Sequence, residues 1–132
     1  TSNVTDMSYM FSFMSALRDL KVNTFDTRNV TNMTSMFSGA MTDLGNGTLD
    51  LSSFNSQSLV DTGGMFAKTK VKTIYTSPQF SLDSVTNSLG MFWDNTNLVG
   101  GNGTAYSNGH PQDKTYARID APGIPGYFTL KP

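Results

Sequence analysis

Asn29-Val30-Thr31-Asn32-Met33-Thr34-Ser35-Met36-Phe37 is one copy of a pattern that this chain carries four times. Its closing dipeptide recurs as Met10-Phe11, Met36-Phe37, Met65-Phe66 and Met91-Phe92, at spacings of 26, 29 and 26 residues. An aliphatic residue stands six positions before each Met: Val4, Val30, Leu59 and Val85. Phe25, Phe54 and Phe80 lie five positions before the last three of these. Another aliphatic follows each pair, as Leu17, Leu44, Val71 and Leu98. Landmarks sharing one period mark an internal repeat, whose units each bury their apolar face only by stacking on a neighbour.

Asn3, Asn29, Ser58 and Ser84 precede the aliphatic residue, and Asp6, Asn32, Asp61 and Asn87 follow three positions later. This has the form of a capping box built with short acids and amides. In the first two repeats, Val4, Met7, Met10, Phe11, Met14 and Val30, Met33, Met36, Phe37, Met41 follow helical spacing. The pattern predicts a short Met-rich helix in each repeat, weaker in the third, which carries Gly63 and Gly64. The other half reads as a short strand: Leu20-Lys21-Val22, Leu49-Asp50-Leu51 and Thr73-Ile74-Tyr75. Stacked about 4.8 Å apart, such strands form a parallel ladder. The expected fold is an α/β repeat, a leucine-rich-repeat-like parallel β-solenoid. Strands line one face, short Met/Phe-rich helices line the other, and the Met columns fill the core.

The composition agrees. All ten acidic residues of this 132-residue chain are Asp, and Ser, Thr and Asn make up about a third of it. Such side chains bond nearby backbone and favour caps and turns. Charged residues are 14% and the net charge is −1, which argues against a phosphate-tracking nucleic-acid binder. Apolar runs are short, so no membrane insertion is expected. With no cysteine, thiol chemistry, disulfides and Cys-zinc sites are excluded.

Asn29 to Phe37, together with Leu49-Asp50-Leu51-Ser52-Ser53-Phe54, resembles the bacterial surface-protein repeat of roughly 26 residues found in BspA-family leucine-rich-repeat proteins of lactic-acid bacteria, listeriae and mycoplasmas. The stretches Leu98-Val99-Gly100-Gly101-Asn102-Gly103-Thr104, Tyr116-Ala117-Arg118-Ile119-Asp120 and Gly126-Tyr127-Phe128 resemble that family's closing segment. The resemblance implies an extracellular protein on a bacterial cell surface, cell-wall or lipid anchored at full length, with roles in adhesion. It carries no catalytic residues over. Ser88 stands where Met7 and Met33 stand earlier, and Pro78 should interrupt the strand ladder.

Residues 1–99 are therefore read as a four-turn solenoid and 100–132 as a C-terminal loop and hairpin cap packed on the last turn. Gly100, Gly101, Gly103 and Gly109 mark the loop. Tyr116 to Asp120 alternates, and Tyr127 to Leu130 reads as the return strand. A cap shields apolar columns and strand edges that the last turn would expose. At the other end no cap is evident, so further repeats or another domain of the same protein are expected before Thr1.

The chemistry on offer is sparse. His110, the only histidine, has no motif around it and reads as an exposed loop residue. Asp6 and Asp61 recur at a capping position, which signals a structural task; Asp19, Asp43 and Asp50 are scattered. No calcium-loop pattern occurs, and no metal or cofactor is expected. Lys68, Lys70 and Lys72 alternate, which on a strand puts them on one face. That face suits an anionic ligand, although edge lysines also discourage strand addition. Trp93, Tyr106 and Tyr116 are candidates for stacking on sugars, with cap packing as the structural alternative. The reading that results is a non-catalytic adhesion module whose solenoid face recognises host extracellular matrix, mucin, glycan or cell-wall polymer. A spacer displaying a neighbouring domain is the alternative, and a polysaccharide-active enzyme on the same frame is the third.

Overall fold

The computed structural model describes residues 3–14, 22, 24–40 and 47–131. Leu17, Leu44, Asp19, Met41, Asp43 and the first expected strand apart from Val22 lie outside these. Three short strands, β1 (Thr48–Asp50), β2 (Thr73–Thr76) and β3 (Phe128–Leu130), form one parallel sheet in the order β1-β2-β3. Leu49 sits beside Ile74, and Ile74 beside Phe128. The only helix among the described residues is a 3-10 turn, Lys114–Tyr116.

The Met-Phe halves of the repeats lie side by side in parallel register. Asp6, Asn32, Asp61 and Asn87 form one continuous column of parallel bridges. Successive repeats are joined by alternate amides. Phe11 N–H donates to Met36 O at 2.9 Å, Phe37 to Met65 at 2.9 Å and Phe66 to Met91 at 2.9 Å. The amides between them close turns instead: Met36 donates to Met33, Ser38 to Ser35 and Ala40 to Phe37.

These segments are thus runs of tight turns, and the expected helices are absent from the described residues. In every second turn the third residue sits in the left-handed region: Tyr9, Ser35, Gly64 and Gly90 in one column, Phe13, Gly39, Lys68 and Asp94 in the next. A turn with positive φ at that position favours Gly, so Gly64 suits its place. A turn repeated every four residues also mimics helical spacing. Met33, Met36, Phe37 and Ala40 all point inward and are fully buried, at the offsets a helix would use.

The interior is a set of aromatic columns. Phe11, Phe37, Phe66 and Phe92 stack with ring centroids 5.6, 5.7 and 5.6 Å apart, each pair within 14° of parallel. Beside them, Phe25 stacks on Phe54 at 6.4 Å, and Phe54 meets Phe80 edge-on at 6.0 Å. Each pair adds about 0.5–1.5 kcal/mol beyond burial alone. Met7, Met33, Met36, Met65 and Met91 are buried between the columns, while Met10 and Met14 of the first repeat stay exposed.

The C-terminal segment departs from the expected antiparallel hairpin. Val99 N–H donates to Lys72 O, then the chain turns out through Gly100 and pairs antiparallel with itself at Val99 and Ala105. It returns at Gly126 so that β3 adds to β2 as a third parallel strand, with Ile119 also parallel to Phe128. The reason is edge satisfaction: β2 would otherwise present an unpaired row of backbone groups. The departing and returning strands cross closely. A Cβ at Gly100 would collide with the Gly126 carbonyl oxygen, and one at Gly126 with the Arg118 carbonyl oxygen. Elsewhere the segment takes the place of a further repeat. Gln112 O accepts from Phe92 N–H at 3.0 Å and the Tyr106 hydroxyl from Asp94 N–H at 3.0 Å. Ser88 Oγ accepts from Lys114 N–H at 3.1 Å, which gives the Met-to-Ser change in the fourth repeat a purpose. Tyr127 and Phe128 then close the Phe92 column edge-on, at 5.1 and 5.9 Å.

Asp120 fixes this excursion. Its buried carboxylate accepts from Asn102 N–H (2.9 Å), Thr104 N–H (2.9 Å), Thr104 Oγ1 (2.7 Å) and Gly126 N–H (3.1 Å). Burial alone would raise its pKa. The bonds from Thr104, Gly126 and Asn102 outweigh that and hold it below the usual carboxylate value.

Candidate functional site

Lys68 ends the turn ribbon in the left-handed region, residues 69–72 lead from it to β2, and burial alternates along the run. Thr69 and Val71 are buried; Lys68 and Lys72 are exposed and Lys70 half-exposed. Backbone bonds clamp the row from both sides: Lys72 N–H to Gly47 O and Lys68 N–H to Trp93 O, each 2.8 Å. Lys68 Nζ lies 4.9 Å from the centre of the Trp93 ring, which remains 53% exposed. Lys70 Nζ reaches Thr96 Oγ1 at 3.5 Å. Lys68 and Lys70 thus reach to Trp93 and Thr96 of the following repeat, and Lys72 is exposed two residues further on.

The other cations of the described residues are committed. Arg28 pairs with Asp26 at 2.8 Å and Lys131 with Asp50 at 3.0 Å. Lys114 Nζ donates to the carbonyls of Asp83 and Val85, and Arg118 Nε to that of Pro125. Among the described residues, no carboxylate is ion-paired with Lys68, Lys70 or Lys72.

The tyrosines divide. The Tyr106 hydroxyl accepts from Asp94 N–H, next to Trp93, and donates to Asn108 Oδ1 at 3.0 Å. Tyr116 belongs to a cluster inside the C-terminal segment. It stacks on His110 at 4.6 Å and tilts against Tyr127 at 5.1 Å. His110 is thus not the free loop residue its setting suggests. It is half-buried, with Nδ1 2.9 Å from the Tyr127 hydroxyl. Burial in this cluster pushes the Tyr127 hydroxyl pKa above its ordinary value.

The acids of the Asp6 column serve the turns. Asp6, Asn32, Asp61 and Asn87 each accept, through Oδ1, the N–H two residues on: Ser8, Thr34, Gly63 and Leu89. Asp61 also accepts from Thr34 Oγ1 at 2.7 Å and Asn87 Nδ2 at 3.1 Å. Burial works to raise its pKa, but these bonds win and lower it. Charge alternates along the column, so no two carboxylates are neighbours.

One feature escaped the sequence. A cleft of about 440 Å³ lies between residues 77–83 and 114–119, lined by Ser77, Phe80, Asp83, Lys114, Thr115 and Ala117 among others. Its walls come from segments more than thirty residues apart, and only the cation at Lys114 hints at it. Among the described residues, no three His, Cys, Asp or Glu side chains converge as a metal site would require.

The family model described as a Mycoplasma protein of unknown function, DUF285, matches residues 1–103. No curated protein and no solved structure matches the chain.

Proposed function

The chain belongs to the DUF285 family, and on that premise we propose that it is a non-catalytic binding module of a bacterial cell surface, engaging a host or cell-wall macromolecule. Its stacked repeats are read as a leucine-rich-repeat-like parallel β-solenoid of the BspA type, held outside the cell by a wall or lipid anchor of the full-length protein. The observation that supports this best is the group of exposed and half-exposed side chains Lys68, Lys70, Lys72 and Trp93. None of the four belongs to the core of Phe and Met columns, and no carboxylate among the described residues pairs with the lysines. Affinity would come from extended contact with host matrix, mucin, glycan or wall polymer, and no bond is broken.

An array of mucins, matrix proteins, glycans and wall polymers tests this reading. Binding that weakens on Trp93→Ala supports it. No binding by this chain, with binding by a neighbouring domain of the same protein, would assign it the role of spacer. The amide ladder that joins successive Met-Phe segments among the described residues suits that second reading. Release of reducing sugar by the purified chain would revive an enzyme.

A further inference from the structure

We propose that the Lys68–Trp93 face is a docking site for a linear anionic polysaccharide, a chain of pyranose rings bearing sulfate or carboxylate groups. The inference rests on the surface-binding reading above and names its ligand class.

Two observations carry it. The first is the state of the cations. Arg28 and Lys131 are neutralised by carboxylates, and Lys114 and Arg118 hold backbone carbonyls. Lys68, Lys70 and Lys72 have no such partner among the described residues, although the chain has ten aspartates to offer. Three like charges in a row repel one another, and the Trp93 ring beside Lys68 and the Thr96 hydroxyl beside Lys70 do not neutralise them. An anionic partner would. Buried Thr69 and Val71 separate the three lysines, so the segment presents several spaced cations, suited to a polymer with repeated anions rather than to one compact ion.

The second observation is Trp93. Lys68 Nζ lies over the indole, yet the residue stays 53% exposed, while Phe92 and Asn95 on either side of it in the chain are buried. An exposed indole beside a cation row offers an apolar plate for the C–H face of a sugar ring. This separates a polysaccharide from a polyol-phosphate chain, which carries charge but no ring to stack. Single-stranded nucleic acid has both charge and rings, but it draws its affinity from many phosphate contacts. Three lysines in a chain of net charge −1 supply few.

The test is calorimetric titration of the intact chain with a size-defined heparin octasaccharide, its desulfated form, poly(ribitol phosphate) and oligothymidylate. The variants are Lys68→Asn, Lys70→Gln, Lys72→Gln, the three combined, and Trp93→Ala. Asn is chosen at 68 because it tolerates the +60° φ there. Unchanged urea midpoints establish that the variants fold. The expected result is octasaccharide binding that each lysine change weakens about five-fold, the worth of one cation facing an anionic surface. Each lysine change also flattens the salt dependence. Trp93→Ala should weaken binding without altering that slope. Equal binding of octasaccharide by the triple variant, tighter or equal binding of poly(ribitol phosphate) or oligothymidylate, or no octasaccharide binding at all overturns the proposal. If the variants still bind a mucin or matrix protein, only this inference falls. If the unmodified chain binds no array member and no octasaccharide, the surface-binding reading falls with it.

Discussion

Asp120→Asn removes one oxygen and one charge from the C-terminal excursion while keeping its shape. The amide oxygen can still serve the Asn102 and Thr104 N–H groups, and the Thr104 hydroxyl can turn to accept from the new NH₂. The Gly126 N–H cannot; it is left facing a donor in a buried site. An unsatisfied buried N–H costs about 1–3 kcal/mol, and the surviving bonds each lose roughly 1 kcal/mol without the charge. Some of this is offset, because a neutral amide is easier to bury. The net loss should be about 3–5 kcal/mol, a large share of the stability of a single domain. Urea unfolding followed by circular dichroism should show a midpoint lower by about 2 M, given slopes of ~1–3 kcal/mol per M. The pH dependence is a second readout. The folded pKa of Asp120 lies below its unfolded value, so its contribution is complete above about pH 4 and is lost as pH falls through the folded pKa. The gap between wild type and Asp120→Asn should therefore narrow in acid. A variant within about 0.5 kcal/mol of wild type at pH 7, far inside the range expected for losing a buried charged acceptor, would falsify the reasoning.

Other outcomes follow from the repeats. Phe66→Ala breaks ring contacts with Phe37, Phe92 and Phe128 and should cost about 3–5 kcal/mol in urea unfolding. Gly126→Ala, forced against the Arg118 carbonyl, should detach the C-terminal segment, seen as lost amide protection at Phe128 with protection kept near Phe37. Ser35→Gly, at φ +52° in a column that holds Gly64 and Gly90, should stabilise by up to about 1 kcal/mol and raise the thermal midpoint. Asn32→Asp sets carboxylates side by side at Asp6, residue 32 and Asp61. Stability should fall by about 0.5–1 kcal/mol at low salt and recover in high salt.

Much of this was legible in the sequence because stacking imposes a strict period. The Met-Phe spacing placed Phe37, Phe66 and Phe92 in one column, and the alternating lysines at 68–72 are the less buried residues of that run, although Lys68 stands in a turn rather than a strand. The helical reading failed for an equally physical reason. Inward positions at 33, 36, 37 and 40 suit a helix and a run of four-residue turns alike, and only the backbone distinguishes them. Gly64, read as a flaw in a helix, is instead suited to a left-handed turn position. Alternation from Tyr116 to Asp120 sets Asp120 on the face opposite Ala117 and Ile119. Its burial depends on a loop sixteen to eighteen residues upstream folding over it, and no local pattern records that. The cleft at Lys114 was hidden for the same reason.

The alternation of Asp6, Asn32, Asp61 and Asn87 limits which segments can be duplicated without penalty. Copying a single aspartate-bearing segment in tandem would seat two anions shoulder to shoulder. Copying a pair keeps every anion beside an amide. Lengthening by a pair, or by one asparagine-bearing segment, should therefore be tolerated more readily than lengthening by one aspartate-bearing segment.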